Sequence, residues 1–164
     1  MELEVMKKLI KRYEPGYADF ARRCGIAERY YRNRTDIFLQ QKKEEDEEGN
    51  PMRNADNRIP HNFHGLIVNQ KASYAFTAPP LFNIGSGQAN QKVMDALGDG
   101  YKKACMELCV NAANCGIAWA HYWRGDEGFE WAVVDSREII PVMSRKLKRK
   151  LLGVFRAYAD TDEA

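Results

Sequence analysis

His61 and His64 stand three residues apart in the stretch RIPHNFHGLIVNQKASYAFTAPP, residues 58–80. On a helix that spacing brings two imidazoles to one side, and a zinc site would then need a third ligand together with a fourth or an opening for water. Cys105, Cys109 and Cys115 are the thiolates available for it. Their Cys-x3-Cys-x5-Cys spacing matches no common zinc knuckle, and Cys105 and Cys109 fall on the apolar stripe of a helix, where a free cysteine packs as a small hydrophobe. Core packing is the better reading, so no metal ligand is assigned.

The other chemistry-bearing groups fare similarly. NIGSGQAN (83–90) has glycines but lacks the Gly-Lys-Ser/Thr ending of a phosphate loop and the third glycine of a dinucleotide fingerprint, so it reads as a connector. Asp126, Glu127, Asp135 and Glu138 sit in turns, where carboxylates solvate or cap. No serine, histidine and aspartate show a local nucleophile signature. Trp119, Trp123 and Trp131 could stack on bases, but they alternate with Ala118, Ala120 and Ala132, and Arg124 is the one nearby cation, which points to a core. The sequence therefore assigns no catalytic residue and no cofactor.

The elements that position these groups follow from periodicity. Leu3, Met6, Ile10 and Tyr13 recur at helical spacing until Pro15-Gly16, which is expected to end a first helix; Phe20, Cys24, Ala27 and Tyr31 stripe a second, from Tyr17 to Tyr31. Asn33 is placed to cap that helix in the left-handed conformation. Residues 42–57, KKEEDEEGNPMRNADN, lack apolar periodicity and read as a charged linker or loop. In the opening stretch Pro60 suits a first helical turn, Ile59, Phe63, Leu66, Ile67, Gln70 and Tyr74 form the face expected to be buried, and Pro79-Pro80 ends the helix. A long helix from about Gln88 to Asn114 is closed by Gly116. GIAWAHYW and FEWAVVD then alternate as a hairpin around RGDEG, placing Trp119, His121 and Trp123 opposite Val133, Trp131 and Phe129 on one face, which the 59–74 helix is expected to cover in part. Asp135 to Glu138 reads as a turn, IIPVM as a strand that Pro141 confines to an edge, and LLGVFRAYA as the last strand.

Composition bounds the class. The chain has 164 residues, 45% apolar and 29% charged, with a formal charge of +2, so no global basic field marks a nucleic-acid binder. Basic residues are locally concentrated: nine Lys or Arg against five Asp or Glu in residues 1–34, and five of six in RKLKRK (145–150). Four cysteines are too few and too uneven for a disulfide scaffold, the amphipathic start is no signal peptide, and no apolar run approaches a membrane span. The fold class is α+β: N-terminal helices and a long helix packed on a small antiparallel sheet. Residues 1–41 form a helical segment, 42–57 the charged linker, and 58–164 an α+β domain.

The order of motifs resembles the N-terminal part of a tailed-bacteriophage portal protein. RYYRNRTDIF (29–38) is similar to that family's Tyr-Tyr, turn, Asp-Ile pattern, with Asn33 where Gly is usual, and brings in Tyr30, Tyr31, Asp36 and Ile37. The 58–80 stretch resembles the pattern containing Asn62, Phe63, Ile67, Lys71, Tyr74 and Pro79. NCGIAWAHYW through WAVVDSREIIPVM resembles the Cys-Gly turn, hairpin and Asp-Pro-Arg-Glu-Ile-Ile-Pro turn, marked by Gly116, Asp135 and Pro141. Departures are His61 for Asn, Thr77 for Gly and Ser136 for Pro. The resemblance runs from about residue 29 to 158.

That resemblance implies a non-catalytic structural role in the virion, with a wing-like fold. It implies a dodecameric ring at one capsid vertex through which double-stranded DNA is packaged and ejected. It also implies partners: terminase, major capsid and scaffolding proteins and head-tail connectors, with assembly in the host cytoplasm and no membrane. Stem helices, channel loop and clip would lie after residue 164, making this the N-terminal part of a longer protein. An alternative is a nucleic-acid-binding module using residues 7–34 and Arg145, Lys146, Lys148, Arg149 and Lys150, which are also the candidate DNA or partner contacts of a portal. A Cys/His zinc domain is the third reading.

Overall fold

The computed structural model describes residues 3–39, 58–78, 80–126 and 128–158. The charged segment 42–57, Pro79 and Glu127 lie outside the described residues. The architecture is α+β, as expected. Helices α1 (Leu3–Tyr31), α2 (Phe63–Ala75), α3 (Gly87–Leu97) and α4 (Tyr101–Cys115) precede two separate antiparallel hairpins. The first pairs β1 (Trp119–Gly125) with β2 (Gly128–Val134), and the second pairs β3 (Ile139–Met143) with β4 (Leu151–Arg156).

Pro15 does not end the first helix; α1 runs through it to Tyr31. A proline inside a helix loses one backbone hydrogen bond and costs about 3 kcal/mol relative to alanine. Tertiary contacts on both sides of it hold the helix together. The Tyr13 hydroxyl donates to the Met143 carbonyl at 3.4 Å, and the Tyr17 hydroxyl donates to the Arg137 carbonyl. The expected long helix is in turn split at Gly98-Asp99-Gly100. Gly98 takes φ 73°, a conformation that favours glycine, and its N–H closes α3 on the Met94 carbonyl. Ser86, in the glycine loop, caps α3 by accepting from the Ala89 N–H at 3.2 Å.

Helix α2 begins later than Pro60 suggests, because Asn62 acts as its cap: Oδ1 accepts from the Gly65 N–H at 2.9 Å. Its inward face is the reverse of that expected. Gly65, Val68 and Ala72 are buried, whereas Phe63, Leu66, Ile67 and Tyr74 are 64%, 61%, 63% and 88% exposed. Small residues let helices approach closely, and α2 lies against α4 and α1. The closeness of that packing decides which side is buried, overriding side-chain size.

The first hairpin differs from expectation by one residue. Pairing continues to Gly125 opposite Gly128, so His121 faces Ala132 and Tyr122 faces Trp131. A one-residue shift moves side chains to the opposite face, and the aromatic residues are therefore divided between two faces. Trp131 meets Tyr101 edge-on, with centroids 5.5 Å apart, and donates to the Leu97 carbonyl at 3.1 Å. Tyr122 and Phe129 stack at 5.7 Å on that same side, while His121 and Trp123 pair on the other. Helices α3 and α4 pack on β2, so α2 is not the principal cover of the hairpin.

The rest of the buried core is Cys24 of α1, Ala104 and Cys105 of α4, Val134, and Ile139, Ile140 and Val142 of β3. Pro141 sits in a strand with a single neighbour, β4, where a missing N–H is tolerated.

Candidate functional site

The motif residues converge where the C-terminal end of α1 meets α2, α4 and the turn before β3. Tyr31 is the last residue of α1, and Asn33 follows in the left-handed conformation, φ 60°, as its sequence position predicts. The Asn33 and Arg34 N–H groups close the helix on the Tyr30 and Arg29 carbonyls at 2.9 and 2.8 Å. The chain then enters a short 3₁₀ turn, Asp36–Phe38, which contains Ile37. Asp36 ties that turn back to α1: Arg29 lies 2.6 Å from one carboxylate oxygen and the Tyr30 hydroxyl donates to the other at 2.7 Å. The hydrogen bond to Asp36 is the main cause of an upward shift in the Tyr30 pKa.

Asn62 uses both ends of its amide. While Oδ1 caps α2, Nδ2 donates to the Tyr31 carbonyl at 3.1 Å, an oxygen that a helix end leaves without an intrahelical partner. The Tyr31 hydroxyl reaches Asn69 Oδ1 at 2.6 Å, and Asn33 Nδ2 reaches the Pro60 carbonyl at 3.4 Å. On the far flank of α2, His64 Nε2 lies 2.8 Å from Asn114 Oδ1 of α4. His61 instead packs its ring 5.6 Å from that of Phe63. The two histidines thus have different neighbours. Among the described residues, no group of three or more His, Cys, Asp and Glu is arranged to hold a metal ion.

The third part is a charged knot at a 3₁₀ turn, Ser136–Glu138. Asp135 caps it by accepting from the Arg137 N–H at 2.8 Å, and its carboxylate also receives the Arg137 guanidinium, with Nε 3.0 Å from each oxygen. Arg137 reaches on to Glu28 of α1 at 2.9 Å. The bonds from Arg137 hold Asp135 below the ordinary carboxylate range. Beside the knot a cavity of about 300 Å³ is lined by Glu28, Tyr31, Arg32, Asn111, Asn114 and Arg137, among others. Most of its charged side chains are ion-paired: Arg32 with Glu28, and Arg137 with Glu28 and Asp135. Such an arrangement fastens α1 to the turn and leaves Asp135 and Arg137 in fixed charge states at neutral pH.

Sequence reasoning missed Glu28, Arg137 and Tyr17 as members of this junction. Glu28 reads from sequence as one more solvated charge on α1, and its partner is more than a hundred positions away. Two departures from the family pattern also acquire roles. Ser136 is buried and donates to the Ile117 carbonyl at 2.8 Å, and Thr77 donates to the Ser73 carbonyl at 2.9 Å beyond the end of α2.

The remaining residues singled out from sequence lie elsewhere. Cys115 ends α4, and Gly116 caps it at φ 76° with its N–H on the Ala112 carbonyl. Cys115 contacts the buried Cys24, and burial pushes its thiol up to about 12. Lys71 is exposed on α2. Arg145, Lys146, Lys148, Arg149 and Lys150 form the exposed β3–β4 connection, closed by a 2.7 Å bond from the Ser144 N–H to the Lys150 carbonyl. None of these five cations is ion-paired among the described residues. In α1 and just after it, by contrast, Lys7, Arg22, Arg23, Arg29 and Arg32 each have a carboxylate partner.

The described motif residues of this helical and hairpin scaffold fasten its elements to one another, as the parts of a structural protein do. Residues 10–164 match the family described as "Phage portal protein, SPP1 Gp6-like", and the chain belongs to that family. It is 40% identical over 175 aligned positions to the portal protein of Clostridium phage phiCD119, covering 99% of this chain and 38% of the relative. It is 27% identical over 135 positions to the portal protein of Bacillus phage SPP1, covering 80% of this chain and 27% of that protein. The chain thus spans well under half the length of these relatives. Portal proteins are structural components of the phage particle. No described helix is long and apolar enough to cross a membrane.

Proposed function

We propose that this chain is the wing part of a phage portal, residues 58–164 forming the α+β wing domain and residues 1–41 its helical segment. In this reading the assembled portal is a dodecameric ring at the capsid vertex. Double-stranded DNA is packaged and ejected through it, and terminase, capsid and scaffolding proteins and head-tail connectors dock on it. Assembly takes place in the host cytoplasm. The observation that carries the reading is the family match across residues 10–164. The junction at Tyr31, Asn62, Asp135 and Arg137 agrees with it, since these residues join elements that a ring must hold at fixed angles. The test is a chimera in which this chain is fused in frame to the part of the phiCD119 relative that follows the matched region. Closed rings in negative-stain images are the expected result; a folded, strictly monomeric chimera would overturn the reading.

The exposed 145–150 connection supports a narrower role within the same portal. Its five clustered, unpaired cations suit phosphates, whereas in α1 Lys7, Arg22 and Arg23 are taken up by intrahelical pairs. Titration with duplex DNA at several salt concentrations should show binding that weakens steeply with salt and is lost when Arg145, Lys146, Lys148 and Arg149 become Ser. Equal binding by the variant would assign the contact elsewhere.

A further inference from the structure

Helix α2 turns its large apolar side chains outward and cannot roll over to hide them. Asn69 on one flank is held by the Tyr31 hydroxyl at 2.6 Å, and His64 on the other by Asn114 at 2.8 Å. Between those anchors Gly65, Val68 and Ala72 are pressed against the neighbouring helices, so the opposite side, carrying Phe63, Leu66, Ile67 and Tyr74, must face out. Ile59, just before the helix, adds a fifth side chain, 63% exposed. No Asp, Glu, Lys or Arg interrupts this face; Gln70 is its polar member, and Lys71 stands at its margin.

The size of the face discriminates between an incidental patch and an interface. With about 200 Å² for a large aromatic and somewhat less for an aliphatic side chain, these five residues present roughly 700 Å². That is close to the ~800 Å² each partner contributes to a stable interface and above the largest apolar patch of many monomers.

We propose that the Phe63, Leu66, Ile67 and Tyr74 face of α2 is the surface on which a second copy of this chain packs. The choice of occupant rests on the portal reading, because a portal is built from copies of one chain, and on the near match between this area and that of a stable interface.

Sedimentation velocity of the 164-residue chain, from about 1 to about 100 µM, tests this against a Phe63→Lys/Tyr74→Lys variant. The wild type should gain mass with concentration, and the variant should need about tenfold or more higher concentration to do so. At a concentration where both proteins are monomeric, the variant's urea midpoint should be unchanged, because both side chains are exposed in the single chain. Wild-type chain remaining at the 18.8 kDa monomer mass throughout would overturn the proposal and leave the face to be covered by a segment that longer relatives carry. Equal association of wild type and variant would also overturn it, placing the contact on another surface. A lowered urea midpoint for the monomeric variant would likewise count against it, since these residues would then be part of the fold. Each of these three failures leaves the family membership, and the ring test on the chimera, untouched.

Discussion

Asn62 holds Tyr31: its Nδ2 donates to the final carbonyl of α1 at 3.1 Å while its Oδ1 caps the first turn of α2. One side chain therefore satisfies a backbone acceptor at one helix end and a donor at another, and it sets the angle between the two helices. Gly65 allows this, since a Cβ there would come within 2.5 Å of the Asn62 amide.

Asn62→Ala should cost about 2 kcal/mol, combining a lost cap with a lost backbone contact. Asn62→Asp keeps the cap but replaces the donor to Tyr31 with a charged acceptor, so it should recover only part of that loss. Urea unfolding of the three proteins measures both. A loss under about 0.5 kcal/mol for the alanine variant would show that the amide bridge contributes little.

The inverted packing of α2 predicts an inverted mutational profile. Phe63→Ala should change stability by less than about 0.5 kcal/mol because its ring is already 64% exposed. Val68→Ala should cost about 1 to 2 kcal/mol, and Ala72→Leu about 1 to 3 kcal/mol through overpacking against the adjacent helices. A costly Phe63→Ala paired with a silent Val68→Ala would mean that the apolar face is the buried one.

The Asp135–Arg137 pair predicts an acid-dependent loss. Arg137 holds the folded-state pKa of Asp135 below its unfolded value of about 3.9. The folded state therefore binds this proton less readily. The contribution is complete above the unfolded pKa and is lost as pH falls through the lower folded one. Asp135→Asn should make the urea midpoint fall less steeply than in the wild type as pH drops below about 4. Parallel slopes for the two proteins would separate Asp135 from the acid response.

How far these relationships were legible in the sequence depends on their range. Asn33 and Gly116 could be read as helix caps because a left-handed residue after a helix is a local demand, and both have positive φ, 60° and 76°. Pro141 could be placed in an edge strand for an equally local reason, its missing N–H. The burial of α2 could not be read, since an apolar stripe looks the same whether it faces a core or another chain, and Gly65, Val68 and Ala72 become informative only when a second helix is against them. The hairpin register turned on whether the loop was two residues or five, and the flanking Gly125 and Gly128 decided for the shorter one. The contact between Glu28 and Arg137 required the tertiary structure, because nothing in either neighbourhood selects the other.

The thiol pair gives a chemical test of the α1–α4 contact. Cys24 is 2% exposed and Cys115 has its pKa pushed up to about 12, chiefly by burial, so both should resist an aromatic disulfide reagent near pH 8. Labelling should speed up only as urea unfolds the chain. The sign of the linkage adds an alkaline effect. An unfolded thiol ionises near pH 8.5 whereas folded Cys115 stays protonated, so stability falls as pH rises from there toward about 12. Rapid labelling of both thiols in the absence of urea would show that α1 and α4 separate readily.

Pro15 offers the strongest test of how α1 is held. Both Pro15 and its neighbour Gly16 are exposed, and no atom lies within 4 Å of where a Cβ on Gly16 would sit. Pro15→Ala restores a backbone donor in a helix interior, where alanine is favoured by about 3 kcal/mol, and Gly16→Ala adds about 1 kcal/mol of helix preference. If Tyr13 and Tyr17 are merely pinned on either side of a tolerated defect, Pro15→Ala should stabilise the chain by about 1 to 3 kcal/mol, read as a higher urea midpoint. Suppose instead that the proline sets a bend that brings both hydroxyls onto the Met143 and Arg137 carbonyls. Then Pro15→Ala should straighten α1, break one of those bonds and leave stability unchanged or reduced. Tyr13→Phe and Tyr17→Phe, each made with and without Pro15→Ala, separate the two cases. Under the first, each phenylalanine costs the same in either background; under the second, its cost falls once the proline has been replaced, because the bond is already lost.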